Sequence, residues 1–219
     1  MTPVLYAHPF SSYCQKVLIA LYENGTPFTL RMLGPDDPSA HEEMVGLSPH
    51  KKFPVLVDDG RPVIESSIII EHLVQHHPGP ARLIPEDPAA ALEVRKLDRF
   101  FDNYVMTPMQ KVVGDRLRPD GDRDPHGVAE AKKMLGTSYR WLDGLMAQRT
   151  WAAGEGFSMA DCAAAPSLFY ADWVHEIAPA FPHLRAYRSR LLARPSVARA
   201  VDEARPFRKL FPGGAPDRD

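Results

Sequence analysis

Along the first part of the chain the apolar and polar positions switch between a period of two and a period near that of a helix. Residues 3–7 form a short apolar run closed by His8-Pro9, the pattern of a first strand. From Ser12 onward Val17, Leu18, Ala20 and Leu21 recur at helical spacing until Asn24-Gly25 stops them. Residues 28–33 alternate as a strand and run into the breaker cluster Gly34-Pro35-Asp36-Asp37-Pro38, from which a loop is expected. Residues 54–57 and 62–64 flank Asp59-Gly60, a strong two-residue hairpin signal. Ser66 or Ser67 then caps a helix with Ile68, Ile69, Ile70, Leu73 and Val74 on its buried side, and His76-His77 marks its end. The order β-α-β, loop, β-β-α predicts a mixed sheet of about four strands covered by helices.

Beyond Pro78-Gly79-Pro80 no segment after residue 86 reads as a strand. Amphipathic, alanine-rich stretches predict helices over 88–117, 126–148, 159–175, 181–193 and 196–204, with Pro108 bending the first of them. Ser158-Met159-Ala160-Asp161 is a capping box, and Phe157 is placed to staple onto Cys162. The tail from Pro212 to Asp219 is expected to be loose. Two units follow, an α/β domain over 1–79 and an all-helical domain over 86–219, joined by the Pro/Gly segment.

Composition narrows the function classes. With 44% hydrophobic and 25% charged residues in 219, the chain can bury a real core and is not disordered. A formal net charge of −2 and the lack of a basic run argue against nucleic acid or an anionic membrane as partner. No apolar stretch is long enough to span a bilayer, and the first residues lack a signal-peptide pattern. Cys14 and Cys162 lie far apart, so a reduced, cytoplasmic protein is expected rather than a disulfide scaffold. No spacing among the nine histidines suggests zinc, and no metal is expected.

Chemistry concentrates where the first strand hands over to the first helix. His8-Pro9-Phe10-Ser11-Ser12-Tyr13-Cys14-Gln15-Lys16 sits at a helix start, whose unpaired N–H groups and positive dipole end stabilise an anion, a thiolate included. On pattern alone the serines read first as N-caps. Ser11-x-x-Cys14 followed by Gln15-Lys16 resembles the active-site turn of thioredoxin-fold proteins, and it is similar to that of the serine-using (theta-, zeta- and phi-like) glutathione S-transferases. In those the serine lies five residues before a basic residue, as Ser11 does before Lys16. Lys52-Phe53-Pro54 and Glu65-Ser66 fit the same resemblance, and Ser158-Asp161 matches the capping motif of that family's helical domain.

The resemblance implies a thioredoxin-like N-terminal domain, βαβ-ββα, followed by a C-terminal helical bundle. It places the catalytic hydroxyl at Ser11, with Ser12 and then Tyr6, on the first strand, as competitors. Pro54 would be the cis-proline, and the Phe53 backbone would pair with the cysteinyl part of glutathione. Glu65 and Ser66 would receive its γ-glutamyl end, and Lys52, helped by Lys51 and His50, its glycyl carboxylate. Glutathione is thus implied as a co-substrate, with no other cofactor, and a homodimer as the assembly. Phe10, Tyr104, Met106, Met109, Phe169 and Trp173 are candidates for an apolar pocket holding a small apolar electrophile. Since Ser11 precedes it, Cys14 has no partner for dithiol chemistry and is expected to pack in the helix. A glutathione-dependent isomerase, dehalogenase or ether-cleaving enzyme, or a non-catalytic binding protein of the same fold, are the alternatives.

Overall fold

The computed structural model describes residues 2–219. Its sheet has the order β2-β1-β3-β4. Strand β1 (Val4–Ala7) runs parallel to β2 (Thr29–Met32) and antiparallel to β3 (Val55–Asp58), and β3 pairs antiparallel with β4 (Arg61–Ile64). The turn between β3 and β4 has Asp59 at φ 46° and Gly60 at φ 76°, the left-handed pair that an Asp-Gly hairpin requires. Alternation along β1 decides which layer each side chain joins. Leu5 and Ala7 enter the main core with α1 (Ser12–Glu23) and α3 (Ser66–His76), whereas Tyr6 enters a smaller core with Leu33, Ala40, Met44 and Val55.

That smaller core is roofed by a helix the sequence pattern did not reveal. The stretch expected to be a loop holds α2 (Pro38–Leu47). Asp37 caps it by accepting from the Ala40 N–H at 3.2 Å, and Pro38 occupies the first turn, where its missing N–H costs nothing. Only Ala40 and Met44 of α2 are buried, too few for a readable period. Two further expectations change. Ile68 is 53% exposed on α3, and neither Ser66 nor Ser67 caps that helix; the N-cap position is Glu65.

The helical part begins with α4 (Pro88–Phe101), passes through a π-helical turn (Asp102–Met106) and continues as α5 (Thr107–Arg116). The bend expected at Pro108 is this π turn. Thr107 N–H reaches five residues back to Asp102 O. Pro108 has no N–H for the Tyr104 carbonyl, which accepts from the Ser138 hydroxyl at 2.8 Å. Ser138 lies on α6 (Pro125–Met146). Helix α7 (Met159–Val174) is buried at every position and forms the centre of the molecule, packed against α1, α4 and α8 (Pro182–Leu192), while α9 (Pro195–Ala204) packs on α1 and α8. Asp161 is fully buried near its start, accepting from Ala152 N–H (2.8 Å), Ser158 N–H (2.9 Å) and the Tyr187 hydroxyl (2.6 Å). The tail is not loose. Arg218 donates to Asp172 O at 2.7 Å, and Phe211 is buried against Trp173 with ring centroids 4.9 Å apart.

The α/β and helical parts are tied by a buried charge cluster. Lys16 of α1 is 0% exposed, with Nζ 2.6 Å from Asp98 Oδ1 and 2.8 Å from Asp102 Oδ2. It also donates to the Ser67 hydroxyl of α3 at 2.7 Å, and that hydroxyl donates to Asp98 Oδ2 at 2.7 Å. Arg99 closes the cluster, 2.7 Å from Asp98 and 2.7 Å from Asp102. Two cations thus face two carboxylates. Such a cluster adds little net stability, but removing one member strands its partners in a low dielectric. Lys16→Met is therefore expected to lower the unfolding free energy by about 3–5 kcal/mol. Adding Asp98→Leu, which leaves the Arg99–Asp102 pair neutral, should recover more than half of that in denaturant titration; no recovery would contradict the charge-balance account.

Candidate active site

The turn from β1 into α1 is fixed from several sides. Ser11 N–H donates to His8 O at 2.9 Å, and Phe10 N–H to His8 Nδ1 at 3.1 Å. Gln15, itself buried, donates to Pro9 O at 3.0 Å and to the Tyr170 hydroxyl at 3.1 Å. Tyr170 of α7 in turn donates to Phe10 O at 2.9 Å. A residue of the helical part thereby sets the backbone that presents Ser11.

Ser11 occupies the N-cap position of α1 with extended backbone (φ −81°, ψ 126°), yet its hydroxyl makes no capping hydrogen bond. Its partner within the helix is the buried Cys14 thiol rather than a backbone N–H of the first turn. Ser12 is 7% exposed inside the first turn and does not reach the cleft wall. Tyr6 also lies away from that wall. Its hydroxyl donates to Glu43 Oε2 of α2 at 2.8 Å, and burial followed by that hydrogen bond pushes its pKa up. Cys14 is fully buried, and burial raises its thiol to about 12, with hydrogen bonds from Ser11 and His8 opposing only in part. It is a packing residue that stays protonated.

Beside Ser11 opens a cleft of about 770 Å³, within the range of small-molecule sites. The turn contributes Ser11 and Tyr13 to its wall, and the segment before β3 contributes Ser48, His50, Lys51, Lys52, Phe53 and Pro54. The β4–α3 junction adds Ile64, Glu65 and Ser66, and the helical part adds Arg99, Asp102, Asn103 and Gln110. Ser11 and all five residues expected to hold glutathione thus share one cavity. The Phe53–Pro54 peptide is cis. Glu65 has φ 71° and ψ 117°, a conformation that a non-glycine residue holds only when its surroundings impose it, and such outliers gather at functional sites. It leaves the first turn of α3 without a side-chain cap, so the helix N-terminus faces the cleft at Ser66. Cationic Lys51 and Lys52 stand on one segment of the wall and anionic Glu65 on another, an arrangement suited to a ligand with charged ends of both signs.

The apolar pocket expected above Ser11 is not formed by the residues proposed for it. Met106, Met109, Phe169 and Trp173 are buried in the core. Phe10 packs edge-on against Tyr170 at 5.5 Å, and Tyr104 is 50% exposed beside Phe100 at 5.3 Å. None of these six lines the cleft. Its helical wall is polar instead, and Arg99, Asp102, Asn103 and Gln110 gave no sequence signal because polar residues on a helix read as solvent-facing until a second layer is docked beside them. Tyr13, which also went unrecognised, has its phenol raised to about 12 by burial and by the charge of Asp102, so it remains a neutral donor.

Comparison with known proteins agrees with this geometry. The family model for the glutathione S-transferase N-terminal domain matches residues 5–81, and that for the C-terminal domain matches residues 95–195. Glutathione S-transferase U10 of Arabidopsis thaliana is 34% identical over 133 residues, 60% of this chain and 55% of that protein, so the match spans about half the length of this relative. A glutathione S-transferase from Methylobacillus flagellatus, crystallised with glutathione bound, superposes with a TM-score of 0.82 at 25% identity, covering 91% of this chain and 98% of the other. One from Methylobacterium radiotolerans, in complex with glutathione sulfonate, gives 0.80 at 27% identity over 100% and 99%. With both domain models matched in order over most of its length, and with this fold, the chain belongs to the glutathione S-transferase family.

Proposed function

We propose that the chain is a glutathione transferase that activates the tripeptide's thiol at Ser11 and joins the intact glutathionyl group through its sulfur to a small electrophile carrying hydrogen-bonding groups. The observation that carries this reading is the Ser11 hydroxyl at the start of α1, which caps no backbone N–H and lines the same cleft as Lys52, Phe53, Pro54, Glu65 and Ser66. Glutathione would lie with its γ-glutamyl carboxylate at the N-terminus of α3 by Ser66 and its ammonium at Glu65. The Phe53 backbone would pair with the cysteinyl unit, and Lys52, with Lys51 and His50, would face the glycyl carboxylate.

Energetics support this assignment. A free thiol titrates near 8.5, and lowering that by about two units needs roughly 2.7 kcal/mol of preference for the thiolate. A hydrogen bond to a charged acceptor supplies about 1.5–3 kcal/mol, and the α1 dipole about 0.3–1 kcal/mol. Hydroxyl and dipole together cover the requirement without a general base. The thiolate then attacks the electrophilic carbon and the leaving group departs. A polar second substrate replaces the apolar one first expected, because Asn103 and Gln110 line the helical wall. Two buried free cysteines suit a reducing compartment such as the cytoplasm. The partner implied by family resemblance is a second copy, seated on the face where exposed Ile68 and Leu92 flank the Arg95–Glu71 ion pair.

Calorimetry should show saturable glutathione binding; its absence would favour a non-catalytic binding protein. Ser11→Ala should lower kcat with a model electrophile by at least about tenfold, in line with the loss of one charged hydrogen bond, and should raise the pKa of the bound thiol read from the thiolate absorbance. Tyr6→Phe should leave turnover within about twofold, because its hydroxyl serves Glu43; the reverse ranking would transfer the role to Tyr6. Asn103→Ala and Gln110→Ala should raise KM for polar electrophiles by about three- to tenfold while glutathione affinity holds, as expected for losing one neutral hydrogen bond each. Ile68→Asp should shift sedimentation toward a monomer.

A further inference from the structure

At the end of α3 remote from the cleft, three side chains converge without a part in the chemistry above. Asp58, the last residue of β3, is 7% exposed. Its Oδ2 lies 2.8 Å from His72 Nε2 and 2.7 Å from His77 Nε2, so both imidazoles aim at one oxygen. The three ligand atoms lie within 4.8 Å of one another. The other carboxylate oxygen, Oδ1, is buried and has no hydrogen-bond partner among the described residues. Both imidazoles are part-exposed, at 22% and 25%, so the cluster has an entry path from solvent. His76, one turn on from His72 with ring centroids 4.3 Å apart, stands beside the same opening.

We propose that Asp58, His72 and His77 form a binding site for a divalent ion of the zinc class, held by one carboxylate and two imidazoles with a fourth position open to solvent. Imidazole and carboxylate oxygen are the donors such an ion takes, and three protein ligands with an open position are a common arrangement. Ligand atoms about 2.0–2.1 Å from a tetrahedral ion sit about 3.3 Å apart. The two Nε2–Oδ2 separations of 2.7 and 2.8 Å would open by about half an ångström, and the two imidazole nitrogens, within 4.8 Å of each other, would settle at the same spacing. Each ring would carry its proton on Nδ1 so that Nε2 offers a lone pair. An ion there would also give the unpartnered Oδ1 a charge to face. Residue spacing did not suggest this site because its carboxylate comes from a strand while its histidines come from a helix end. The helix runs 11 residues between Ser66 and His76, so the ion would lie about 16 Å along the axis from the glutathione end.

The test is titration of the untagged full chain with zinc chloride alone, with magnesium as control. Binding of one zinc per chain at micromolar affinity or tighter is expected, with cobalt giving the visible bands of a four-coordinate site. His72→Gln with His77→Gln, both part-exposed and outside the cleft, should weaken it at least about 100-fold while the far-ultraviolet spectrum and glutathione affinity stay unchanged. Asp58→Asn, which keeps a hydrogen-bonding side chain in place, should weaken zinc less than the double variant but still measurably. The proposal is overturned by no saturable zinc binding, or by equal affinity in the double variant. Either result leaves the glutathione reading untouched.

Discussion

The sheet layer and the helical layer meet around a lysine that has no access to water. Lys16 enters from α1, Ser67 from α3, and Asp98, Arg99 and Asp102 from the first long helix of the other part. Burying such a group is costly unless every charge finds its complement, and only one docking of the two parts supplies them. The cluster is thus better understood as a register pin than as a source of stability. It sets how α3 and the π turn face each other, and the cleft is the space left between them. Tyr170 does a similar service at short range, holding the Phe10 carbonyl so that Ser11 projects from the turn.

Much of the architecture was legible in the chain, for reasons that differ by element. The Asp59-Gly60 hairpin needs two left-handed residues, and few sequences state that so openly. The alanine-rich stretch of α7 and its capping box announced a helix, although they did not say that all its faces are covered. Helix α2 was hidden because it buries only Ala40 and Met44 and because its start, Asp37-Pro38, reads equally as a turn. Ile68 was assigned inward because three isoleucines in a row cannot all fit one helical face, and apolarity alone does not say which one is left out. The side of the cleft formed by Ser11, Lys52, Phe53, Pro54, Glu65 and Ser66 was readable because these residues sit on short local motifs. The opposite wall was not, since Arg99, Asp102, Asn103 and Gln110 are polar positions on a helix pair with no local motif, and only the docking of the two parts turns them toward the cleft.

Tyr6 and the aromatic group show where plausible chemistry yields to geometry. Strand parity sends Tyr6 to the side of the sheet covered by α2, where Glu43 takes its proton donor. Phe10, Phe169 and Trp173 pack against one another and the C-terminal segment instead of enclosing a ligand. What remains around Ser11 is a cleft with Tyr13, Phe53, Pro54 and Ile64 among its lining and a helical wall of Arg99, Asp102, Asn103 and Gln110.

The π turn has a consequence for how this wall can diversify. It gives Asp102 two surroundings at once, the buried cluster on one side and the cleft on the other, while its neighbour Asn103 projects only outward and is exposed. Half of the helical wall is therefore locked by the docking of the two parts, and the other half is free to vary. Substitution at Asn103 or Gln110 can retune which molecules the chamber admits without disturbing the scaffold, whereas change at Arg99 or Asp102 alters both together. A lineage carrying this chain could explore new substrates along two positions while its fold stands still.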